Sequence, residues 1–354
     1  MKTLSVLLIL TSSLLAHSDM TKCVFSENDT GITDKTSLLK TFTADYWKVA
    51  KVEISKIPIA LQKTGFVVGD FHFNNVGLYY DYQKGKPELV LNDFDDAGNN
   101  FLLVDLMKYL TYVQKLDKLI EKNELIHSYR AGLLDTSEIS FPVDLNESQL
   151  KFNKDSQNYL NNHREEFVKF DKSKMNAEQN AKVQELARLK IITQLTQVDY
   201  MVKTNDSGSS KGMERFEFIG TARNGAVGLI EFKKLKCSAT GAADAQDLSA
   251  NFAFVKKSYL DNHSTAVSNQ YVYRLRDESF LVRQKIFNPL KKLEIEKQST
   301  QLLQKYSNFF AAYLGSVHSK SADKAYIDAI AEHEDLIIMT TKEISKKFKD
   351  VVQN

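Results

Sequence analysis

The chain has 354 residues, too many for a single small core and enough for two lobes or one large domain. Its 47 Lys and Arg against 45 Asp and Glu leave a formal charge of +2, so composition lends no support to bulk nucleic-acid binding, which needs surplus cations. With 43% hydrophobic and 26% charged residues the chain is neither disordered nor collagenous, and two cysteines exclude a disulfide scaffold and a zinc ribbon.

Lys2 followed by the mostly apolar or small run Leu4 to Ala16 has the layout of a secretory signal peptide, with cleavage expected after Ser18. The run is about 13 residues, short of the roughly 20 that span a bilayer; an uncleaved anchor or buried helix is the other reading. No later segment reaches spanning length, so the chain is expected to be exported, periplasmic or secreted, with no stable membrane span. Cys23 and Cys237 are free to form one disulfide or to stay as two thiols.

Helical spacing runs first from Leu38 to Gln62, with Phe42, Tyr46, Val49 and Ile54 recurring every three to five residues. The period then changes. Gly65-Phe66-Val67-Val68-Gly69 is a short apolar run bounded by glycines, and Leu78-Tyr79-Tyr80 with Glu88-Leu89-Val90-Leu91 predict a strand pair around Lys84-Gly85-Lys86-Pro87. Val104 to Ile120 predicts a helix with Leu106, Tyr109, Leu110, Val113 and Leu116 on one stripe. Residues 137–180 are polar and read as a linker or surface helices between two halves. Three strands are expected next, Thr196 to Thr204, Met213 to Ala222 and Ala226 to Lys236, the last two joined by the turn Arg223-Asn224-Gly225. A helix over Asp247 to Tyr259 follows, then a hairpin of Tyr271 to Leu275 and Phe280 to Lys285 turning at Arg276-Asp277-Glu278. From Lys297 to the end the pattern is helical. Ten of the 14 glycines fall within 65–98 and 208–228, which concentrates backbone freedom around the two chemically informative stretches.

The first stretch is Gly69-Asp70-Phe71-His72-Phe73-Asn74-Asn75, followed by Leu91-Asn92-Asp93-Phe94-Asp95-Asp96. Phosphoryl transfer needs this combination: one carboxylate to orient and deprotonate an acceptor hydroxyl, and an Asn plus a second carboxylate to hold Mg²⁺ on nucleotide phosphates. The bland alternative is a set of turn-favouring Asp and Asn residues in solvated loops. The second stretch is the small-residue loop Ser207 to Gly212, whose backbone N–H groups could approach phosphates, with Lys233 on a following strand. A plain hairpin loop and a solvated lysine would look the same, and Lys234 and Lys236 on the opposite strand face compete with Lys233. His72 reads as a loop-stabilising hydrogen-bonder, Asp105 as a cap or a brace to the loop around Asp70, and the Phe309-Phe310-Tyr313 cluster as core. His318 and His333 show no metal spacing.

Residues 69–77, 91–96 and Asp105-Leu106-Met107-Lys108 resemble the GDxHxxNFG, NDFDE and DLKRL-like motifs, in that order, of the uncharacterised bacterial family known as domain of unknown function 2252. Further on, 207–216 is similar to that family's GTGSLGLERY, 229–234 to its LLDLKEA, and 280–284 to its YVRQ. Val76, Asp96 and Lys234 depart from the family's Phe, Glu and Glu. The resemblance, from about residue 38 to 335, implies an α+β, two-lobed, protein-kinase-like or aminoglycoside-phosphotransferase-like fold. The helical lobe would be the larger and the antiparallel-sheet lobe the smaller. Because the catalytic and metal motifs precede the Gly-rich loop and lysine, the lobe order would be permuted.

Carried over residue by residue, Asp70 would be the catalytic carboxylate, Asn75 and Asp93 the Mg²⁺ ligands, Gly208, Ser209 and Gly212 the phosphate loop, and Lys233 the phosphate-pairing lysine. The helix expected over 247–259 offers no mid-helix acid to pair that lysine. The expected division is 1–18 signal peptide, 19–180 the catalytic and metal-motif part of the helical lobe, 181–290 the nucleotide-covering sheet with one helix, and 291–354 helices completing the helical lobe. The expected function is an exported, ATP- and Mg²⁺-dependent phosphotransferase acting on a hydroxyl of a small-molecule or protein acceptor. The alternatives are an inert kinase-like binding or scaffold protein of the periplasm and a nucleotidyl transferase on the same fold.

Overall fold

The computed structural model describes residues 39–353 except 41, 82–85, 136–147, 205–211, 224–226, 236–237, 242–247, 264–268, 286–287, 289 and 291–292. The expected signal segment, both cysteines, and Gly208 and Ser209 of the expected phosphate loop therefore lie outside the described residues.

The helix expected over 38–62 is shorter, α1 Thr43–Ile54, and a single 3-10 turn at Ile59–Leu61 follows Pro58. Proline disfavours helical geometry in the residue before it, which closes off continuation. Strand β1, Thr64–Val67, pairs antiparallel with β4, Gly98–Phe101, and between them lies a hairpin of β2, Val76–Asp81, and β3, Lys86–Leu91. Helix α2, Leu102–Leu116, starts directly from β4 and is buried along every residue from Leu102 to Val113. A helix buried on all its sides stands in the middle of a core, and here Asp105, Lys108 and Thr111 are buried among its apolar residues.

Around α2 the helical layer is assembled from both ends of the chain. Helix α3, Lys122–Leu134, precedes residues 136–147, while α8 Thr300–His318, α9 Lys324–Glu332 and α10 Glu334–Gln353 come last. Helices α3 and α8 touch backbone to backbone: a Cβ on Gly132 would stand 1.9 Å from the Ala312 carbonyl oxygen, and one on Gly315 2.0 Å from that of Tyr129. Helix α10 covers α1, with the Phe348 ring 5.5 Å edge-on from Tyr46 and the Lys347 ammonium 2.7 Å from Glu53.

The second sheet is antiparallel with order β5-β6-β7-β9-β8: Leu195–Thr204, Glu214–Ala222, Val227–Lys234, Glu278–Gln284 and Tyr271–Leu275. Strands alternate their faces, and here the two faces differ. One carries Phe216, Phe218, Phe232, Phe280 and Val282 against Val183 and Leu186 of α5, Ala177–Ala187, and Ile192 of α6, Lys190–Thr193. Buried Lys182 on α5 binds Glu214 at 3.0 Å and Glu278 at 2.5 Å, fastening helix to sheet. The other face packs Met201, Ile219 and Leu229 on Phe167 of α4, Ser148–Lys169, carries the charged residues Lys203, Arg215, Glu217, Glu231, Lys233 and Arg283, and ends in Leu281 and Val272, which join the core of the helical layer. Of the two readings of the polar stretch 137–180, the described residues from 148 onward meet the surface-helix one, in α4 and part of α5. Helix α7, Leu248–Ser258, sits beside β4 and β8, with Phe252 and Val255 in the core of the helical layer.

The architecture is α+β, with an antiparallel sheet beside a helical layer. No helix among the described residues is long and apolar enough to cross a membrane.

Candidate functional site

Asp70 follows β1 across a backbone reversal at Gly69, whose φ is +80°. Left-handed backbone favours glycine, and space allows nothing else: a Cβ there would lie 2.0 Å from the Asp96 carbonyl oxygen. The Asp70 loop and the Asp93–Asp96 loop are therefore pressed together at this residue. Gly69 is held from every side. Its N–H and that of Val68 donate to Asp105 at 2.9 and 2.5 Å, and its carbonyl accepts from Trp47 Nε1 at 2.8 Å and Lys108 Nζ at 3.3 Å. Asp105, fully buried on α2, is thus a brace to this loop, and His318 Nε2 meets it from α8 at 3.3 Å.

The Asp70 carboxylate has the Lys108 ammonium on one oxygen and the His72 imidazole beside the other. Lys108 Nζ, from the buried turn of α2, bonds Oδ1, and His72 Nε2 lies 3.4 Å from Oδ2. His72 Nδ1 accepts the Asn74 N–H at 3.2 Å, which leaves the Nε2 edge to face the acid. Burial alone would raise the Asp70 pKa, but Lys108 and then His72 outweigh it and hold the carboxyl well below the usual carboxylate range.

The β2–β3 hairpin brings the second motif to the first. Val76 pairs with Leu91, and one step further the Asn92 N–H donates to the Asn75 carbonyl at 3.0 Å, so the residues before β2 and after β3 emerge side by side. The Asn75 side chain donates its amide nitrogen to the Asp70 carbonyl at 2.8 Å, and its amide oxygen, which bonds no other described residue, is the donor atom it could offer a cation. Asp93 follows at once. Burial works against its ionisation, but Lys233, then Arg283 and Arg215, bring its carboxyl down to about 2.

Strand register decides between the competing lysines. Lys233 lies on the charged sheet face with Glu231, nearly unexposed at 1%, and its ammonium meets Asp93 at 3.1 and 3.3 Å and also Asp95. Lys234 turns to the other face and binds Glu278. The acid that pairs Lys233 comes from the 93–95 loop, not from a helix. Arg283 completes the junction: NH1 donates to the Asn92 carbonyl at 2.5 Å while Nε and NH2 hold Glu231 at 2.8 Å. Gly212, with φ +77°, stands three residues before Arg215, the cross-strand partner of Lys233, and thus at the Lys233 end of the sheet.

Asp70, Asn75, Asp93 and Lys233 therefore belong to one connected unit, joined through Asn75 and the Asn92–Asp93 turn. Sequence reasoning gave no role to Lys108, Glu231, Arg215 or Arg283. Each stands inside a quoted motif, but a lysine on a helix or an arginine on a strand reads as solvated, and only tertiary register places them here. No group of three or more His, Cys, Asp or Glu side chains converges as a metal site among the described residues. A Mg²⁺ would have the Asn75 oxygen and the ionised Asp93, hard oxygen donors of the number it takes when substrate phosphates and water fill its other positions.

No family model matches the chain, and neither a curated protein nor a solved structure matches it.

Proposed function

We propose that the protein is an ATP- and Mg²⁺-dependent phosphotransferase with a hydroxyl acceptor, built on a two-lobed, kinase-like fold of permuted lobe order like that of the domain of unknown function 2252 family. The observation that carries this is one run of contacts that joins the two motifs to a buried lysine: the Asn75 amide donates to the Asp70 carbonyl, the Asn92 N–H to the Asn75 carbonyl, and the Lys233 ammonium to Asp93. A Mg²⁺-bound nucleotide would supply the transferable phosphoryl group and neutralise its developing charge. The protein's own part is positioning. Asp70, kept anionic by Lys108 and His72, accepts the hydrogen bond of the acceptor hydroxyl and aims its lone pair; it orients more than it deprotonates. Asn75 and Asp93 hold the cation, and Lys233, one end of an ion pair with Asp93, is placed to contact phosphate oxygens.

The test is calorimetric titration of the purified protein with ATP, with and without Mg²⁺. Saturable Mg²⁺-dependent binding that Asp93→Ala abolishes is expected. If neither calorimetry nor thermal shift detects Mg-ATP, and Asp93→Ala changes nothing, the proposal is lost. Transfer of label from the γ- rather than the α-phosphate to a lysate fraction separates phosphoryl from nucleotidyl transfer.

One observation favours an inert kinase-like binding protein instead: the charges of Asp70 and Lys233 are already met within the chain. That reading predicts Mg-ATP binding without label transfer. Export through residues 1–18, which we also propose, would carry the protein to compartments normally poor in ATP, and a secreted protein acting inside another cell reconciles the two.

A further inference from the structure

Three cations stand in one row across the charged sheet face: Lys203, Arg215 and Lys233 are successive cross-strand partners on β5, β6 and β7. Like charges placed directly opposite on one face destabilise a sheet unless anions answer them. Two of the three are well answered. Lys203 has Glu166 at 3.0 Å and Glu217 at 3.3 Å, and Lys233 has Asp93 and Asp95. The middle one is not. Among the described residues the ion partner of Arg215 is Glu231, at 3.4 Å from NH1, and its Nε is buried without a hydrogen bond. Glu231 is itself already held by Arg283 at 2.8 Å and approached by Lys285 at 3.5 Å, so Arg215 is surplus to it. A guanidinium presents a planar fork of donors matched to phosphate oxygens. One fifth of this side chain remains open to solvent, at 21%.

We propose that Arg215 is a polyphosphate-binding residue, gripping the phosphate chain of the ligand from the sheet side while Lys233 contacts it from the neighbouring strand. The identity of that ligand as a nucleotide rests on the phosphotransferase reading; the affinity for a polyphosphate does not. Arg215 is the cross-strand partner of Lys233, whose ammonium lies 3.1 Å from Asp93, so it stands one strand from the cation that meets the expected metal ligand.

The probes are inorganic tripolyphosphate, ATP and adenosine, titrated into the full-length protein and into Arg215→Gln and Arg215→Lys. The expected result is a loss of about tenfold or more in tripolyphosphate affinity for Arg215→Gln, partial recovery in Arg215→Lys, and adenosine affinity, where measurable, unchanged. An equal loss for adenosine and ATP would mark Arg215 as merely structural and overturn the proposal. So would tripolyphosphate binding that ignores Arg215, or none at all in the wild type. Arg215-dependent tripolyphosphate binding without Mg-ATP binding would keep this proposal while removing the phosphotransferase.

Discussion

At the scale of single residues the site is a set of carboxylates with cations on them, and the consequences follow from linkage. The Asp93 carboxyl sits at about 2 in the folded protein against an ordinary 3.8. A depressed folded pKa means the unfolded chain binds more protons between those values. The stabilisation is therefore present above pH 4 and is lost as pH falls toward 2. Lys233→Met should weaken this dependence. Without its ammonium the largest of the three charges that hold Asp93 ionised is gone, its folded pKa rises, and less stability is lost as pH falls from 4 toward 2. At pH 7 that variant should lose about 3 kcal/mol, the ordinary cost of breaking a buried pair. Urea midpoints across pH 3 to 7 for both proteins check this; parallel profiles would show that Lys233 does not govern Asp93. The identity of Lys233 was half legible in the sequence, since alternation put it opposite Lys234 and 236 without saying which face turned inward. The sheet register settled that face. Lys108 was less legible still, because nothing local marks a helix lysine as buried.

At the scale of elements, the loops are placed by close approach. Gly69 meets the Asp96 carbonyl with no room for a methyl group and does so at positive φ. Gly69→Ala should cost about 3 kcal/mol or more, adding overpacking to a left-handed backbone penalty. Gly212→Ala, equally left-handed but in open space, should cost about 1 to 2 kcal/mol. Thermal unfolding of the two distinguishes crowding from dihedral strain; equal losses would mean that the loops can move apart. Helices α1, α2, α7 and α8 and strands β5 to β9 follow from apolar periodicity, and the β8–β9 hairpin sits where the turn chemistry put it; α3 and the polar α4 do not follow from it, and β3 begins at Lys86, inside the segment expected to turn. Strand β4, Gly-Asn-Asn-Phe, was not legible, because four residues with two asparagines carry no alternation and become a strand by pairing with β1. Pro58 ended α1 earlier than the apolar spacing implied.

At the scale of the whole molecule, the sheet is tied to the motif-bearing hairpin through Arg283, which binds both the Asn92 carbonyl and Glu231. Arg283→Leu removes the main counter-charge of a fully buried glutamate. It should free the sheet to open by itself, so that amide exchange in β5–β9 accelerates while α2 keeps its protection. Uniform acceleration would show the two parts unfolding as one. Such a link joins residues far apart in the chain and leaves no trace in local spacing, which is why the motifs were legible one by one and their junction was not.

The covering of α1 by α10 has a consequence in time. Glu53 and Lys347, which clasp the two helices, are 294 positions apart. A ribosome adding about 5 to 20 residues per second needs roughly 15 to 60 seconds to travel between them. Throughout that interval the helix whose Trp47 anchors the Asp70 loop has been made and its cover has not. The growing chain cannot mature its centre piecemeal from the first end; the helix that covers α1 is synthesised long after it.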